Sequence, residues 1–296
     1  MFLIIDVGNT CLKWALLEAM AVAAWDAAQA PLAAPWSTSG ALAHHELATL
    51  RMALVQVELT GCLISNVAAQ QVQVELEAML RDHTPDLRIE KFVSSAACAG
   101  LSNTYLEPQK LGSDRFASAI AAHALFADQA LVVATCGTAT TVDAVNARGE
   151  FVGGMIAPGL QVMAASLAKN TAQLPDIADL IKSEAVHDVF GRRTDMAIAS
   201  GCLHAQVGLI LSALLALREE QAASSQAVQL LISGGAAPYI LPLLLPHLQR
   251  LNFSWQHREN LVLTGLAIVA KSSFTYFSDC LSNRVPEHSA DSVADA

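Results

Sequence analysis

Three bends in this sequence carry residue types suited to handling phosphate. The first follows the apolar run Phe2-Leu3-Ile4-Ile5: Asp6-Val7-Gly8-Asn9-Thr10 leads into Cys11-Leu12-Lys13-Trp14-Ala15-Leu16, where Leu12, Trp14 and Leu16 alternate with the residues between them. A carboxylate at a strand end can hold a hydrated divalent cation, and a Gly-Asn-Thr turn offers backbone N–H groups to phosphate oxygens. The same letters also spell an ordinary hairpin turn. A second bend repeats the theme, with Ala130-Leu131-Val132-Val133-Ala134 running into Thr135-Cys136-Gly137-Thr138-Ala139-Thr140-Thr141-Val142-Asp143. The third, Gly234-Gly235, lies between the strand-like Val228-Gln229-Leu230-Leu231-Ile232 and a helix-like segment. Glycine at a strand end lets the backbone approach a ligand closely. Three such sites spread along the chain predict a nucleotide held between two domains.

The elements that must position these bends are legible from periodicity. Strands are expected at 61–67 and 87–93, and helices at 70–81, 116–126, 160–167 and 260–271, with a Pro-containing loop at 30–35. Residues 1–118 are expected to form one α/β domain and 119–282 a second, with 283–296 a fraying tail. A strand hairpin opening each half predicts a duplicated fold of the actin, Hsp70 and sugar-kinase type, with mixed sheets flanked by helices. No G-x-x-x-x-G-K-[ST] motif occurs and no G-x-G-x-x-G follows a strand, which argues against P-loop and Rossmann sites.

Composition narrows the partners. The chain has 296 residues, 53% hydrophobic and 15% charged, with a formal net charge of −10. That is the profile of a folded, heavily buried protein, and with no Lys/Arg cluster nucleic acid is not expected as a partner. Cys11, Cys62, Cys98, Cys136, Cys202 and Cys280 are scattered with no CxxC pair, the pattern of small core residues in a reducing cytosol. The first residues lack a basic region before the apolar run, so no secretory signal is expected. Residues 196–217 hold no Asp, Glu, Lys or Arg. Their polar side chains, His204 and Gln206 among them, would need partners in lipid, so a core or subunit-interface helix is expected rather than a membrane span.

Taken in order, Asp6-Val7-Gly8-Asn9-Thr10 with Lys13, Asn103-Thr104-Tyr105 with Pro108, Leu111-Gly112-Ser113-Asp114-Arg115, Gly137-Thr138-Ala139-Thr140-Thr141, Gly153-Gly154-Met155-Ile156-Ala157-Pro158-Gly159 and Gly191-Arg192-Arg193-Thr194 with Ser200-Gly201 resemble type III pantothenate kinase. The resemblance implies a cytoplasmic homodimer that phosphorylates pantothenate with ATP, opening coenzyme A synthesis. It makes Asp6, Val7, Gly8, Asn9, Thr10, Cys11, Leu12 and Lys13 the phosphate hairpin, with Asp6 beside Mg²⁺. Gly137 and Thr138 become the second phosphate contact, and Gly234 and Gly235 lie near the adenosine. Tyr105, Gly112, Ser113, Asp114 and Arg115 line the pantothenate pocket, which Thr194 reaches from the neighbouring subunit. Asp114 is implied as the catalytic base.

The residues alone leave some of this open. Gly112-Ser113-Asp114 reads first as a helix start, with Ser113 capping N–H groups and Asp114 at the positive end of the dipole. A carboxylate there could equally accept a proton from an alcohol under phosphorylation. Arg115 could pair with an anionic substrate or form a surface ion pair. Many members of the family carry an aspartate two residues before Gly137, where it helps bind K⁺ or NH₄⁺; this chain has Thr135, so weaker or altered monovalent-cation dependence is expected. Asp143 is either a substitute for that aspartate or a sheet-end residue. His44, His45, His123 and His204 are expected to be solvated or core histidines rather than ligands, and the four scattered tryptophans are expected to pack. Another small-alcohol or sugar kinase, and a nucleotide-binding regulator without turnover, are the rival functions.

Overall fold

A computed structural model describes residues 1–28, 34–170, 188–221 and 227–282. The expected tail and most of the expected 30–35 loop lie outside them. Strands β1 (Phe2–Val7), β2 (Cys11–Leu17), β3 (Trp36–Ala43), β4 (Gly61–Asn66) and β5 (Ile89–Phe92) form one sheet in the order β3-β2-β1-β4-β5. Within it β2 is antiparallel to β1 and β3, while β4 and β5 run parallel to β1. A second sheet contains β6 (Ala97–Cys98), β7 (Leu101–Asn103), β8 (Ala130–Cys136), β9 (Ala139–Val145), β10 (Glu150–Pro158), β11 (Val228–Ser233) and β12 (Ser254–His257), in the order β12-β11-β8-β9-β10-β7-β6. Its β10-β9-β8-β11-β12 portion repeats the order and directions of the first sheet strand for strand. The duplication expected from the two hairpins is therefore complete at the level of the sheets. Strands β6 and β7 extend the second sheet although they precede residue 118 in the chain.

Eight α-helices are described: α1 (Ala19–Ala24), α2 (Leu47–Leu54), α3 (Gln70–His83), α4 (Ser113–Leu125), α5 (Leu160–Asn170), α6 (Thr194–Glu220), α7 (Ala237–Leu251) and α8 (Leu261–Ser282). Strand alternation decides which helix covers which face. Leu3, Ile5 and Val7 of β1 pack with Leu50 and Leu54 of α2 and Leu76 and Leu80 of α3. Phe2 and Ile4 point the other way, into a central cluster with Phe116 and Ile120 of α4 and Leu266 and Ala267 of α8. The second sheet behaves alike: Leu131 and Val133 join that central cluster, whereas Ala130, Val132 and Ala134 face α6 and α7. Helices α4 and α8 thus lie where the two halves meet. Their close approach explains Gly265 of α8, where an added Cβ would sit 2.0 Å from the Ala117 carbonyl oxygen.

Among the described residues, α6 is the helix long and apolar enough to cross a membrane. Here Cys202, Leu203, Gln206, Val207, Ile210, Leu214 and Leu217 recur at helical spacing and are buried against the second sheet and α7. The Gln206 side-chain amide donates to the Pro158 carbonyl at 2.9 Å, and the Ser200 hydroxyl to the Val189 carbonyl at 2.7 Å. These donors find partners inside the protein fold, while Gln206 Oε1 is buried without a hydrogen-bond partner among the described residues.

Candidate active site

The first bend is closed by a hydrogen bond from Gly8 N–H to the Cys11 carbonyl at 3.0 Å, and the Gly8 carbonyl lies 2.8 Å from His44 Nε2. Asn9 and Thr10 are left exposed at the tip. The second bend mirrors it, with Gly137 N–H donating to the Ala139 carbonyl at 3.0 Å. The two tips touch: Thr10 Oγ1 and Thr138 Oγ1 share a hydrogen bond at 2.7 Å across the junction of the halves. Gly159 fastens the second bend, donating its N–H to the Thr138 carbonyl at 2.9 Å. A Cβ at Gly159 would lie 2.0 Å from the Gly137 carbonyl oxygen, so only glycine fits. The third bend stacks beneath, because Gly234 has φ +94° and its missing Cβ would collide with the Cys136 carbonyl at 2.3 Å.

The first two bends border a cavity of about 170 Å³ whose lining includes Asp6, Asn9, Thr10, Lys13, Asp114 and Thr138. A neighbouring hollow of about 420 Å³ is bounded by Ser39, Gly234, Gly235, Glu259 and Asn260. Lys13 lines both and donates from Nζ to Asn260 Oδ1 at 3.4 Å. Asp6 Oδ1 is buried with no hydrogen-bond partner among the described residues. Burial first, and then the nearby Asp114 carboxylate, push the Asp6 pKa from 3.8 up to about 7, against the pull of Lys13. An orphaned carboxylate oxygen beside a polar cavity fits a divalent cation, whose charge would stabilise the ionised form.

The start of α4 differs in detail from the expected cap. Gly112 occupies the cap position, with no side-chain cap hydrogen bond, and Ser113 is the first helical residue. Ser113 Oγ instead shares a buried 2.8 Å hydrogen bond with Ser65 Oγ of β4, tying the helix start to the first sheet. Asp114 Oδ1 accepts the Arg115 backbone N–H at 2.8 Å and approaches Gly112 so closely that a Cβ there would be 2.7 Å away. Burial raises the Asp114 pKa, opposed by that backbone hydrogen bond and the Arg115 charge.

Arg115 is not a surface ion pair. It is 7% exposed, with Nε 3.0 and 3.2 Å from the two carboxylate oxygens of Asp143 and Nη2 bonded to Oδ1 of the same group. Asp143 is likewise no sheet-end residue; it sits within β9, paired with Val133 and Gly154, at 2% exposure. Burial raises the Asp143 pKa to about 6 and Arg115 counteracts. Nη1 of Arg115 points to the Tyr105 hydroxyl at 3.5 Å, and the guanidinium carbon lies 5.9 and 5.8 Å from the Tyr105 and Phe151 ring centres.

Of the expected site residues, Asp6, Gly8, Asn9, Thr10, Cys11, Lys13, Asp114, Arg115, Gly137 and Thr138 line the first cavity. The side chains of Val7 and Leu12 are core groups, so only their backbone is available to a ligand. Thr194 opens α6, exposed, and does not line that cavity within one chain. Asn260 and Ser118 were not expected at the site, and Gly159 and His44, noted in the sequence, were given no place at the bends they hold. Asn260 has φ +57°, a conformation Asn tolerates better than most residues, and its place just before a helix was the available hint. His44 is held to the first bend rather than solvated, a contact no spacing rule reveals.

Two halves built alike, with paired glycine bends facing each other over a cleft, define the actin-like kinase fold. The solved structures agree on the fold: a Campylobacter jejuni protein described as a Baf family transcriptional activator matches with TM-score 0.53 at 15% identity, covering 92% of this chain and 98% of that one. A Sinorhizobium meliloti protein described as a 2-dehydro-3-deoxygalactonokinase gives TM-score 0.50 at 13% identity, over 92% and 99%. The family model for type III pantothenate kinase matches residues 2–215. The type III pantothenate kinase of Herminiimonas arsenicoxydans is 45% identical over 91% of this chain and 97% of its own length, that of Janthinobacterium sp. (strain Marseille) 44% identical over the same shares, and that of Burkholderia mallei (strain SAVP1) 39% identical over 92% and 100%. The chain belongs to the type III pantothenate kinase family.

Proposed function

We infer that this chain acts as its family does, transferring the γ-phosphoryl group of ATP to the primary alcohol of pantothenate to give 4′-phosphopantothenate. The observation that carries the site assignment is the convergence of Asp6, Asp114 and both bends on one cavity. The Gly8–Thr10 and Gly137–Thr138 bends supply N–H and hydroxyl groups to the phosphates, Lys13 adds a positive charge, and the hollow at Gly234 and Gly235 takes the adenosine. Asp6 would hold Mg²⁺, which would supply charge neutralisation for the transferring group. Asp114 accepts the alcohol proton, helped by a burial that raises its basicity. Positioning and charge neutralisation do most of the work.

Pantothenate is placed beside Tyr105, Gly112, Ser113 and Arg115, with Thr194 contributed by a second copy of the chain. The exposed stripe along α6, Ala197, Gly201, Ala205, Gly208, Ser212 and Ala216, uncharged and small, supports a homodimer built on the helix that Thr194 opens. A cytoplasmic location accords with scattered cysteines and the reaction's substrates. Thr135 lines the cavity where a carboxylate would hold a monovalent cation, so dependence on K⁺ or NH₄⁺ is weak. Replacement Asp114→Asn tests the central role: ATP binding by calorimetry stays near wild type, while pantothenate-dependent ADP release falls by about two orders of magnitude or more. Near-normal turnover in that variant would remove Asp114 from the mechanism.

A further inference from the structure

Asp143, the buried partner of Arg115, has no assigned role, and its surroundings are specific. Asp143 occupies Nε and Nη2 of the guanidinium, leaving Nη1, next to the Tyr105 hydroxyl, as the nitrogen available to a substrate. The strand alongside makes room for the pair with a glycine. A Cβ at Gly154 would lie 2.0 Å from Asp143 Oδ1 and 2.6 Å from Arg115 Nη2. Gly154 has no left-handed backbone to explain it; the ion pair, together with the Val142 carbonyl oxygen 2.8 Å from such a Cβ, is what demands glycine. A buried ion pair is a weak source of stability, because desolvation offsets most of the attraction. Its position is informative instead: Arg115 lines the cavity and is the residue after Asp114, whose carboxylate accepts the Arg115 backbone N–H at 2.8 Å.

We propose that Asp143 is a positioning residue for phosphoryl transfer: by locking Arg115 against β9, with Gly154 opening the space, it fixes the first turn of α4 and so the direction in which Asp114 meets the acceptor hydroxyl. The pair is formally neutral, so Arg115 serves the acceptor through Nη1 as a single oriented donor rather than as a free two-pronged anion clamp. Ser65, bonded to Ser113, holds the opposite side of the same helix start. The proposal rests on Asp114 being the proton acceptor.

The test compares Asp143→Asn, Gly154→Ala and Asp114→Asn in the full-length protein, by steady-state ADP release and by ATP calorimetry. Asp143→Asn and Gly154→Ala each lower kcat about ten- to a hundredfold, the usual effect of misplacing a reacting group by about 1 Å. ATP affinity stays within about twofold of wild type in both. Gly154→Ala keeps every charge and crowds the Asp143 carboxylate, the Arg115 guanidinium and the Val142 carbonyl, so it decides the matter should Asp143→Asn fail to fold, and Asp143→Glu provides a second displaced but charged pair. Wild-type kcat in the variants that fold, or a loss of kcat matched by an equal loss of ATP affinity, would overturn the positioning role. Turnover retained in Asp114→Asn would instead overturn the assignment of the proton acceptor, which separates the two failures.

Discussion

Asp6 shows how a single residue can be costly to the fold and useful to the reaction. Its pKa rises from 3.8 to about 7 because burial and the Asp114 charge both oppose ionisation. A carboxylate whose folded pKa lies above its unfolded value binds more protons in the folded state between the two, so its contribution to stability falls as pH rises from about 4 to about 7. Asp6→Asn removes that dependence. In protein free of metal and nucleotide, the variant should therefore gain more in Tm at pH 8 than at pH 5, as thermal melts at the two pH values will read. An equal gain at both would mean that Asp6 ionises without penalty. Adding MgATP to the wild-type protein at pH 8 should narrow the gap, since a cation on the orphaned oxygen stabilises the charged form. Thr135 carries the companion prediction. With a hydroxyl where the family resemblance implies a carboxylate, wild-type rate should change little between K⁺-free and K⁺-containing buffers, and Thr135→Asp should introduce K⁺ activation; strong K⁺ activation of the wild type would contradict this.

At the scale of elements, the glycine bends act as a set. Gly159 belongs to neither hairpin, yet its N–H holds the Thr138 carbonyl and its bare Cα lets the start of α5 press on Gly137. Gly159→Ala would force that backbone apart at a cost of about 1–3 kcal/mol. The expected outcome is a lower Tm together with a several-fold rise in KM for ATP and a smaller effect on KM for pantothenate; a loss confined to pantothenate would show that the second bend does not hold phosphate. These bends were readable because glycine next to an apolar run leaves few backbone alternatives. The strands were readable for a similar reason, since Leu3, Ile5 and Val7 must all leave the face that Phe2 and Ile4 occupy. What sequence did not yield were contacts set by long-range geometry. The Ser113 hydroxyl turned to Ser65 rather than capping its helix, Arg115 went inward to Asp143, and His44 found the Gly8 carbonyl. Each choice depends on which strand lies opposite, and residue spacing along the chain carries no record of that.

For the whole molecule, the duplication explains why the cleft is where it is. Two sheets of the same strand order bring their first hairpins together, and α4 and α8 fill the space between them. Asp114 at the entrance of α4 is then aimed at the place where both hairpins meet. Thr194, which the proposed function assigns to the pocket of a second copy, stands exposed at the head of α6. If a second copy must deliver Thr194, the uncharged stripe on α6 is the surface through which it does so, and disrupting the stripe should separate subunit contact from nucleotide binding. Gly208 suits the test because a Cβ added there meets nothing within 4 Å inside the chain, so a large side chain leaves the protomer intact. Gly208→Arg places a charge and a long side chain in the middle of the stripe, and sedimentation should then shift from dimer to monomer at micromolar concentration. KM for pantothenate should rise at least tenfold as Thr194 is withdrawn, while ATP affinity, which depends on residues of one chain, stays near wild type. A variant that remains dimeric with unchanged kinetics would place the subunit contact on another face and leave Thr194 without a role in binding.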